Sequence, residues 1–423
     1  MNRQTVSPKR NSRFGARALL LLRLLRPRIF LSLLRCARST PNPAPKRILI
    51  PHCLLLGDTL LLAPLLAALR LRYPEAQIDT TVAPAYLPLF NRSPYGVRAL
   101  GYDPRRRETL AALCHAADLG GGYDLAFIPG DNRYALLARA LGARRIVAMD
   151  DRDSPNRGWK NYLCDAFVPW PQTPMALAEI FARLADPVYL PENAEAPAPP
   201  LPVYRIGDWP APHCAAPTPP PPATPYAVLH LGAGSPLRHW PVERWRELAA
   251  RLAGLGLTPV LSTGPNEEAL AARIDPEGSY PAYPGTLDLA QLWHLLANAR
   301  LLVCPDTGIA HLAKLVGVPT LCLFAQVGPE LLGAGHFWKE MPFVPLGPED
   351  FPCRDQPFLF ERTLPWLRRC ERFPSQCPHP AALCMESIEA ATVIAAAEKL
   401  LAENWVRNCR LWETKPFLFS KFT

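Results

Sequence analysis

The chain has 423 residues, 49% of them apolar, which is enough for two domains that each bury a hydrophobic core. Subtracting the twelve positive charges of residues 1–47 from the net charge of +9 leaves the rest of the chain at −3. The basic character therefore belongs to the N-terminal segment, and no nucleic-acid partner is expected for the body of the protein.

The first feature in chain order is a basic, leucine-rich arm, residues 1–45. Within it, residues 18–34 read ALLLLRLLRPRIFLSLL, and the uncharged run Ala18–Leu22 is far shorter than the roughly 20 residues of a membrane-spanning helix. Arginines also interrupt the apolar core that a cleavable signal peptide needs. The arm is typical of a basic amphipathic segment on an anionic membrane surface, with a merely solvated basic tail as the alternative.

Residues 46–186 alternate short apolar runs with amphipathic segments, a pattern typical of a parallel, doubly wound sheet. The predicted strands are Arg47–Cys53, Gln77–Ala83, Leu125–Pro129 and Arg145–Met149, and the predicted helices are Asp58–Arg72 and Tyr134–Leu141. Gly57 and Asp58 lie where the first strand turns into the first helix. Asp58 is suited to act as a base if it faces a ligand, and a helix N-cap is its alternative role.

Residues 187–225 contain 14 prolines, which predicts an extended, semi-rigid interdomain linker. A second α/β domain is predicted over residues 226–402, followed by a tail, residues 403–423. Its predicted strands are Tyr226–Leu231, Thr258–Ser262, Arg300–Cys304 and Thr320–Phe324, and its predicted helices are Val242–Leu255, Leu287–Asn298, Ile309–Val316 and Ser387–Leu401. Two such domains predict a cleft between the carboxyl edges of the two sheets.

The stretch RLLVCPDTGIAHLAKLVGVPTLCLF, residues 300–324, reads as strand, turn, helix and strand, with an unusually polar turn. Asp306, Thr307 and Gly308 form the turn, and His311 follows one helical turn later. Amides at the start of such a helix favour anions, so a ligand of nucleotide type is expected at this sheet edge. Asp306 and Thr307 are also residue types that cap helices, and His311 is alternatively a buried histidine satisfied within the protein.

Asp-Thr-Gly is also the active-site triplet of aspartic proteases, where two carboxylates share a proton. The chain contains no second Asp-Thr-Gly or Asp-Ser-Gly, and a helical pattern follows the triplet at once. The protease interpretation is therefore disfavoured.

Two further loops of the second domain carry candidate ligand-binding residues. In the loop 232–241, GAGSPLRHWP, the small residues let a ligand approach the backbone, and Ser235 and Arg238 are suited to hold phosphate oxygens. In the loop 262–268, Glu267 or Glu268 is suited to accept hydrogen bonds from ribose hydroxyls. The alternative for these acids is a solvated position favoured by the helix dipole.

The twelve cysteines do not show the spacing of a disulfide framework, and a zinc site is possible but not favoured. No Cys-x-x-Cys occurs in the sequence. Only four of the cysteines cluster, namely Cys353, Cys370, Cys377 and Cys384. A cytosolic protein with mostly reduced thiols is the simplest interpretation.

Three segments together resemble glycosyltransferase family 9, the lipopolysaccharide heptosyltransferase family. Residues 47–90 resemble its opening strand, Gly-Asp turn and R-x-x-Y-P-x-A helix end. Residues 230–252 resemble its H-P-G-A-x-x-x-x-K-x-W-P segment, and residues 305–324 resemble its N-D-T-G-x-x-H-L-A-x-x-L-G-V-P hallmark. The segments occur in family order, and the similarity covers roughly residues 46–400.

The resemblance implies a GT-B fold of two Rossmann-like domains, the first binding the acceptor and the second a nucleotide-diphosphate sugar. It implies inverting transfer of a heptose or related sugar, with ADP-heptose as donor, to a lipid-linked lipopolysaccharide core acceptor. No cofactor and no metal are expected, and the implied location is cytoplasmic, peripheral on the inner face of the inner membrane. Asp58 matches the family's proposed general base, which takes the proton from the attacking acceptor hydroxyl.

On the donor side, the resemblance gives Arg238 the place of a lysine that neutralises the leaving diphosphate. It places one of the acids Glu267 and Glu268 near the nucleoside. The residues that match the diphosphate-binding helix start are Thr307, Gly308 and His311, with Asp306 beside them.

Three departures from the family pattern are evident: Arg238, the loop 324–329 expected near the donor or acceptor sugar, and the Pro-rich linker with the basic arm, which are unlike the shortest members. Arg238 keeps the charge of the usual lysine but changes its geometry. Residues 324–329 read FAQVGP where the family has F-G-x-T-x-P. The clustered cysteines resemble those of a Cys-bearing subset of the family, and no role is assigned to them. The alternatives are a glycosyltransferase with another nucleotide-sugar donor and a different surface glycan, or a catalytically silent GT-B binding protein.

Overall fold

The computed structural model describes residues 20, 23, 44–150, 159–186, 200–360, 362–379 and 381–412. The chain divides into two compact units. The first comprises Met1–Gln172, Ala178–Pro202 and Phe358–Leu364, and the second comprises Thr173–Leu177, Val203–Pro357 and Pro365–Thr423. The return of residues 358–364 to the first unit was not predicted from the sequence.

The first unit is built on a six-stranded parallel sheet. Its strands are β1 (Arg47–Ile50), β2 (Gln77–Val82), β3 (Val97–Gly101), β4 (Tyr123–Ile128), β5 (Ala143–Met149) and β6 (Ala166–Val168). Its helices are α1 (Leu56–Leu60), α2 (Ala63–Arg72), α3 (Arg107–Leu119), α4 (Tyr134–Ala140) and α5 (Leu177–Ala182). The strand order is β3-β2-β1-β4-β5-β6, the order of a Rossmann fold, so the strand order reverses between β1 and β4.

The core of the first unit follows from the apolar pattern of its strands and helices. The central strands β1 and β4 are almost entirely buried and mostly apolar, as expected of parallel strands that helices cover on both faces. The helix α3 buries one face, with Leu110, Leu113 and Ala117 at helical spacing. The predicted single helix Asp58–Arg72 is wrong in one respect. It is interrupted between α1 and α2, where Pro64 has no N–H to continue the ladder.

Two residues of the basic arm lie against the first unit. Leu20 joins its hydrophobic core, and Arg23 donates from Nε to the carbonyl of Ala140 at 3.0 Å. Arg23 also forms an ion pair with Asp118, at 2.7 Å between Nη2 and Oδ1. The remaining residues of the arm up to 43 lie outside the described residues.

The second unit repeats this architecture. Its strands are β7 (Tyr226–His230), β8 (Thr258–Thr263), β9 (Ala282–Pro284), β10 (Leu301–Pro305), β11 (Thr320–Leu323) and β12 (Phe343–Leu346). Its helices are α6 (Val242–Gly254), α7 (Glu268–Ile274), α8 (Leu289–Ala297), α9 (Gly308–Val316), α10 (Pro329–Leu332), α11 (Leu383–Glu386) and α12 (Ala390–Trp412). The parallel order β12-β11-β10-β7-β8-β9 is again that of a Rossmann fold, with its reversal between β7 and β10. The predicted α/β class with two doubly wound sheets is confirmed.

The strand–turn–helix–strand prediction for residues 300–324 is confirmed by β10, α9 and β11. The helix α9 is buried along its whole length after Gly308, consistent with its apolar sequence. It ends at Gly317, which adopts φ 80° as a left-handed C-cap. The predicted last helix is longer than expected, because α12 continues to Trp412.

The proline-rich segment is not simply an extended linker. Residues 187–199 lie outside the described residues, but the part from Val203 onward packs on the second unit. Tyr204 and Trp209 are fully buried there, and the Tyr204 hydroxyl donates to the carbonyl of Leu315 at 2.6 Å. Prolines stiffen this backbone, yet the aromatic side chains between them still bury apolar surface.

A short antiparallel hairpin, β13 (Phe358–Leu359) and β14 (Arg362–Thr363), belongs to the first unit. Its Arg362 is 5% exposed and donates to the carbonyls of Asp150 and Gly130, each at 2.7 Å. The guanidinium also lies over the ring of Trp170, 5.1 Å from its centroid. The hairpin is therefore anchored where β4 and β5 end.

Candidate functional site

Asp58 lies at the carboxyl edge of the first sheet, in the short helix that follows β1. It is the third residue of α1 and is half-buried, while Leu55 occupies the N-cap without a side-chain hydrogen bond. Asp58 therefore does not take the capping role that was the alternative for it. Its charge also reaches Tyr86, whose pKa is raised by burial first, then by Cys53 and, among smaller causes, by Asp58.

A buried histidine holds the loop that leads to Asp58. His52 Nδ1 accepts from the N–H of Leu54 at 3.4 Å, so the proton lies on Nε2, which donates to the Thr80 hydroxyl at 3.1 Å. Thr80 in turn donates to the carbonyl of Ile50 at 3.2 Å. Burial lowers the pKa of His52 to about 3, so this ring is neutral near pH 7. It acts as a structural connector, because it joins the loop at Leu54 to Thr80 of β2 by hydrogen bonds.

In the second unit, the glycine-containing loop after β7 is tied to the loop after β8 by Glu267. The carboxylate accepts from the N–H of Ala233 at 2.9 Å and from the N–H of Gly264 at 3.1 Å. The loop comes so close that a Cβ on Gly232 would lie 1.9 Å from Glu267 Oε2. Glycine at 232 is therefore required for this contact.

The other predicted acid is placed differently. Glu268 is exposed, and the pKa of its carboxyl is lowered first by a hydrogen bond from its own backbone N–H and then by one from the N–H of Asn266, at 2.9 Å. Ser235 is half-buried and caps the short 3-10 helix Pro236–Arg238 by accepting from the N–H of Leu237 at 3.3 Å. Only Glu267 of these polar residues joins two loops of the sheet edge.

The start of α9 lies at the carboxyl end of β10, beside the point where the strand order reverses. Thr307 is the N-cap and accepts from the N–H of Ile309 at 3.4 Å, while Gly308 begins the helix. Asp306 is therefore not the cap that was its alternative role. It is 3% exposed, and its Oδ2 has no hydrogen bond among the described residues.

Arg238 brings the loop after β7 together with the turn after β10. Its Nη1 donates to the carbonyl of Asp306 at 3.0 Å and lies 3.7 Å from Asp306 Oδ2. Its Nε donates to Oε1 of Gln326, on the loop after β11, at 2.7 Å. The side chain remains 29% exposed, so a guanidinium faces solvent at the beginning of a helix.

His311 and Lys314 are buried on α9, behind this turn. Burial, followed by repulsion from Lys314 and Arg238, lowers the pKa of His311 well below its ordinary value. His311 is 3% exposed, and its Nδ1 has no hydrogen-bond partner within the described part of the chain. His311 is therefore buried, as its alternative role required, but its Nδ1 is not satisfied by the described residues.

The carboxyl group of Asp306 belongs to the same electrostatic environment. Burial raises its pKa, and the positive charges of Arg238 and Lys314 oppose that rise. Lys314 itself donates to the carbonyls of Leu332 and Gly333, at 3.1 and 2.8 Å. The arrangement offers a diphosphate one exposed guanidinium, the N–H groups at the start of a nine-residue helix and a neutral imidazole.

Sequence reasoning did not predict Gln326 or Lys314 as members of this site. Gln326 lies in the segment 324–329 that was compared with the family's F-G-x-T-x-P motif, but the sequence did not single out its side chain. Lys314 had a clearer signal, because the helix Gly308–Val316 is apolar on every side and any lysine in it has to be buried.

No metal centre is found in the described residues, since no group of three or more His, Cys, Asp or Glu side chains there is placed to hold an ion. The clustered cysteines are free thiols. Burial raises the pKa of Cys353, and the neighbouring Cys370 adds to the rise. No helix in the described ranges is long and apolar enough to cross a membrane.

The chain is similar to a family of known proteins. Residues 113–341 match the model of glycosyltransferase family 9 (heptosyltransferase). Lipopolysaccharide heptosyltransferase 1 of Pseudomonas aeruginosa is 38% identical over 137 residues, 31% of this chain and 36% of that protein. Lipopolysaccharide heptosyltransferase 3 of Escherichia coli is 23% identical over 375 residues, 82% of this chain and 96% of that protein. The stronger match thus spans only about a third of its relative.

Solved structures share the fold. The E. coli ADP-heptose LPS heptosyltransferase II has a TM-score of 0.63 at 19% identity, covering 85% of this chain and 99% of that one. A family 9 glycosyltransferase from Veillonella parvula also has a TM-score of 0.63, at 17% identity, covering 86% and 100%. The solved structures show that the fold is shared, and the family model matches more than half of the sequence. The chain therefore belongs to glycosyltransferase family 9, the heptosyltransferase family.

Proposed function

We propose that the protein is an inverting, metal-independent glycosyltransferase that transfers a heptose, or a related sugar, from ADP-heptose to a lipopolysaccharide core acceptor. The observation that carries the proposal is the anion-binding arrangement at the β7/β10 reversal point. There, the start of α9, the Arg238 guanidinium and the unsatisfied ring of His311 come together. The family of the chain supports the reaction class, and the donor and acceptor follow from its resemblance to heptosyltransferases.

In the proposed reaction, Asp58 takes the proton from an acceptor hydroxyl as that oxygen attacks the anomeric carbon. The bond to the nucleoside diphosphate breaks, and the leaving group carries away the electron pair. A single displacement inverts the anomeric centre. Arg238, the first amides of α9 and His311 stabilise the negative charge that develops on the diphosphate, and this stabilisation requires no metal.

The first experiment measures acceptor-dependent release of ADP from ADP-heptose with a purified inner-core acceptor. Asp58→Asn removes the base while retaining the side-chain shape, and we expect at least a roughly hundredfold loss of rate. Glu75→Gln is the matched control, because Glu75 is an exposed carboxylate of the same unit and should leave the rate unchanged. The rate should also be unaffected by EDTA.

Binding measurements separate the alternatives. A panel of ADP, UDP and GDP in a thermal-shift assay reports which nucleotide stabilises the folded protein. Preference for UDP or GDP would replace ADP-heptose with another donor. Binding of ADP without any turnover, and without an effect of Asp58→Asn, would identify a silent binding protein instead.

We also propose that the basic arm attracts the protein to the anionic inner face of the inner membrane. Because Leu20 and Arg23 contact the first unit, deleting the whole arm would mix folding with membrane binding. Replacing only Arg3, Arg10, Arg13 and Arg17 by Gln keeps those contacts. We expect weaker, salt-sensitive binding to anionic vesicles with an unchanged melting temperature, and unchanged vesicle binding would contradict the proposal.

A further inference from the structure

Gln326 is a buried polar residue whose side chain is directed at Arg238. It follows β11, is 5% exposed, and its Oε1 accepts from Arg238 Nε at 2.7 Å. A guanidinium has only donors, so the amide has to present its oxygen to Arg238. The contact therefore defines the orientation of both side chains.

The backbone that carries Gln326 is itself fixed on both sides of this contact. The carbonyl of Gln326 accepts from the N–H of Cys370 at 2.7 Å. The carbonyl of Ala325 accepts from Nε of the buried Arg354 at 2.8 Å. Because its backbone is held and its side chain is buried, Gln326 loses little further entropy when it binds a partner and is a rigid support for the partly exposed Arg238.

The contact with Gln326 determines which donors of Arg238 remain for a ligand. Nε is occupied by Gln326, and Nη1 donates to the carbonyl of Asp306. Nη2 makes no hydrogen bond to any described residue. Because the guanidinium is planar and rigid, fixing Nε and Nη1 also fixes the direction of the Nη2 donors.

We propose that Gln326 is a positioning residue for Arg238, which holds the guanidinium in the plane that binds the diphosphate of the donor. The inference rests on the proposed function, because it assigns the ligand of Arg238 to that diphosphate. It also accounts for an arginine at position 238. A lysine has a single nitrogen and cannot bind Gln326 through one donor while presenting a second from a rigid plane.

The test is a double-mutant cycle on nucleotide affinity, measured by isothermal titration with ADP. The four proteins are the wild type, Gln326→Met, Arg238→Lys and the double variant. Methionine has a similar volume but no acceptor for Arg238. We expect Gln326→Met to weaken ADP binding about tenfold, the effect of losing one hydrogen bond to a charged group.

The decisive comparison is the same substitution made in the Arg238→Lys background. There we expect Gln326→Met to change ADP affinity less than twofold, because the lysine does not use the amide oxygen. Equal losses in both backgrounds would show a merely structural role and overturn the inference, while leaving the proposed function intact. A wild type that binds none of ADP, UDP and GDP would contradict the proposed function and the positioning role together.

Folding is monitored by the melting temperature of each variant. If Gln326→Met does not fold, Gln326→Ala takes its place in the cycle, since it removes the same acceptor without adding bulk. In the cycle whose variants all fold, coupling between positions 238 and 326 supports the inference, and additive losses of ADP affinity overturn it.

Discussion

The Glu267 carboxylate accepts a hydrogen bond from the backbone N–H of Ala233, 2.9 Å away, and thereby ties together two loops at the edge of the second sheet. Its second oxygen accepts from the N–H of Gly264 at 3.1 Å. Glu267, one of the two acids predicted as a ribose ligand, thus holds two loops together by hydrogen bonds. Each oxygen still has a lone pair for another donor, so the predicted role in nucleoside binding stays a prediction.

We predict that Gly232→Ala weakens the second unit, because the added Cβ would lie 1.9 Å from Glu267 Oε2 and displace the carboxylate. Losing hydrogen bonds to two backbone amides should cost about 1–3 kcal/mol in the free energy of unfolding, measured in urea. Gly234→Ala is the matched control, since a Cβ there meets nothing within 4 Å. Once Glu267→Ala has removed the carboxylate, Gly232→Ala should cost little. An equal cost in both backgrounds would contradict this explanation.

Much of the fold was predictable because the central strands and main helices carry strong local patterns. The strands β1, β2, β7, β8, β10 and β11 were all predicted to within a few residues. Two of the missed elements have weak local signals, since β6 and β9 have three residues each and depend on pairing with a neighbouring strand. The hairpin carrying Arg362 was missed for another reason. Its partner Gly130 lies 232 positions away in the sequence.

In the candidate site, too, residues of one local motif were predictable from the sequence and long-range contacts were not. Asp306, Thr307 and His311 were predictable because one short motif places them on a single turn and helix. The contact between Arg238 and Gln326 was not, because it joins loops 88 positions apart and depends on the packing of two strand ends. Loop order along the chain indicates which residues share a sheet edge, but it does not indicate which of them touch.

We predict that Arg362 is a principal anchor of the hairpin in the first unit. Arg362→Met would leave the carbonyls of Asp150 and Gly130 buried without this donor, at a cost of about 3 kcal/mol or more. Arg362→Lys should be intermediate, because an ammonium cannot span these acceptors as a planar guanidinium does. The readout is the melting temperature together with hydrogen exchange of the β4 and β5 amides.

Arg368→Met is the control for the Arg362 series. Arg368 is exposed, and its hydrogen bonds to described residues are long, 3.4 Å to the carbonyls of Pro365 and Leu367. Its replacement should leave exchange in β4 and β5 unchanged. Equal effects of the two substitutions would show that the hairpin is not held by its buried arginine.

We predict that stability rises with pH through the titration of Lys314. Burial lowers the pKa of this lysine to about 7, whereas an unfolded lysine has a pKa near 10.4. Between these values the unfolded chain binds one more proton than the folded chain, so the free energy of unfolding increases with pH. The slope from this residue is up to about 1.4 kcal/mol per pH unit, and Lys314→Met should lack it.

Urea unfolding between pH 7 and 10 measures that slope. Lys339→Met is the control, because Lys339 is exposed on the same unit and its replacement should leave the wild-type slope intact. Parallel profiles for the wild type and Lys314→Met would mean that Lys314 keeps its proton when folded, held by the carbonyls of Leu332 and Gly333.

Below neutral pH, we predict that His52 contributes to a loss of stability. Burial lowers its pKa to about 3, while the unfolded histidine titrates near 6.5. As the pH falls from 6.5 towards 3, the unfolded chain takes up a proton that the folded chain does not, so the free energy of unfolding decreases. His52→Gln removes this proton, and its profile should fall less steeply than that of the wild type, by up to about 1.4 kcal/mol per pH unit.

His230 and His311 are buried in both proteins and cancel in the comparison. His115→Gln, at an exposed position, should reproduce the wild-type profile, whereas a wild-type profile for His52→Gln would show that the connector to Thr80 accepts a proton without breaking.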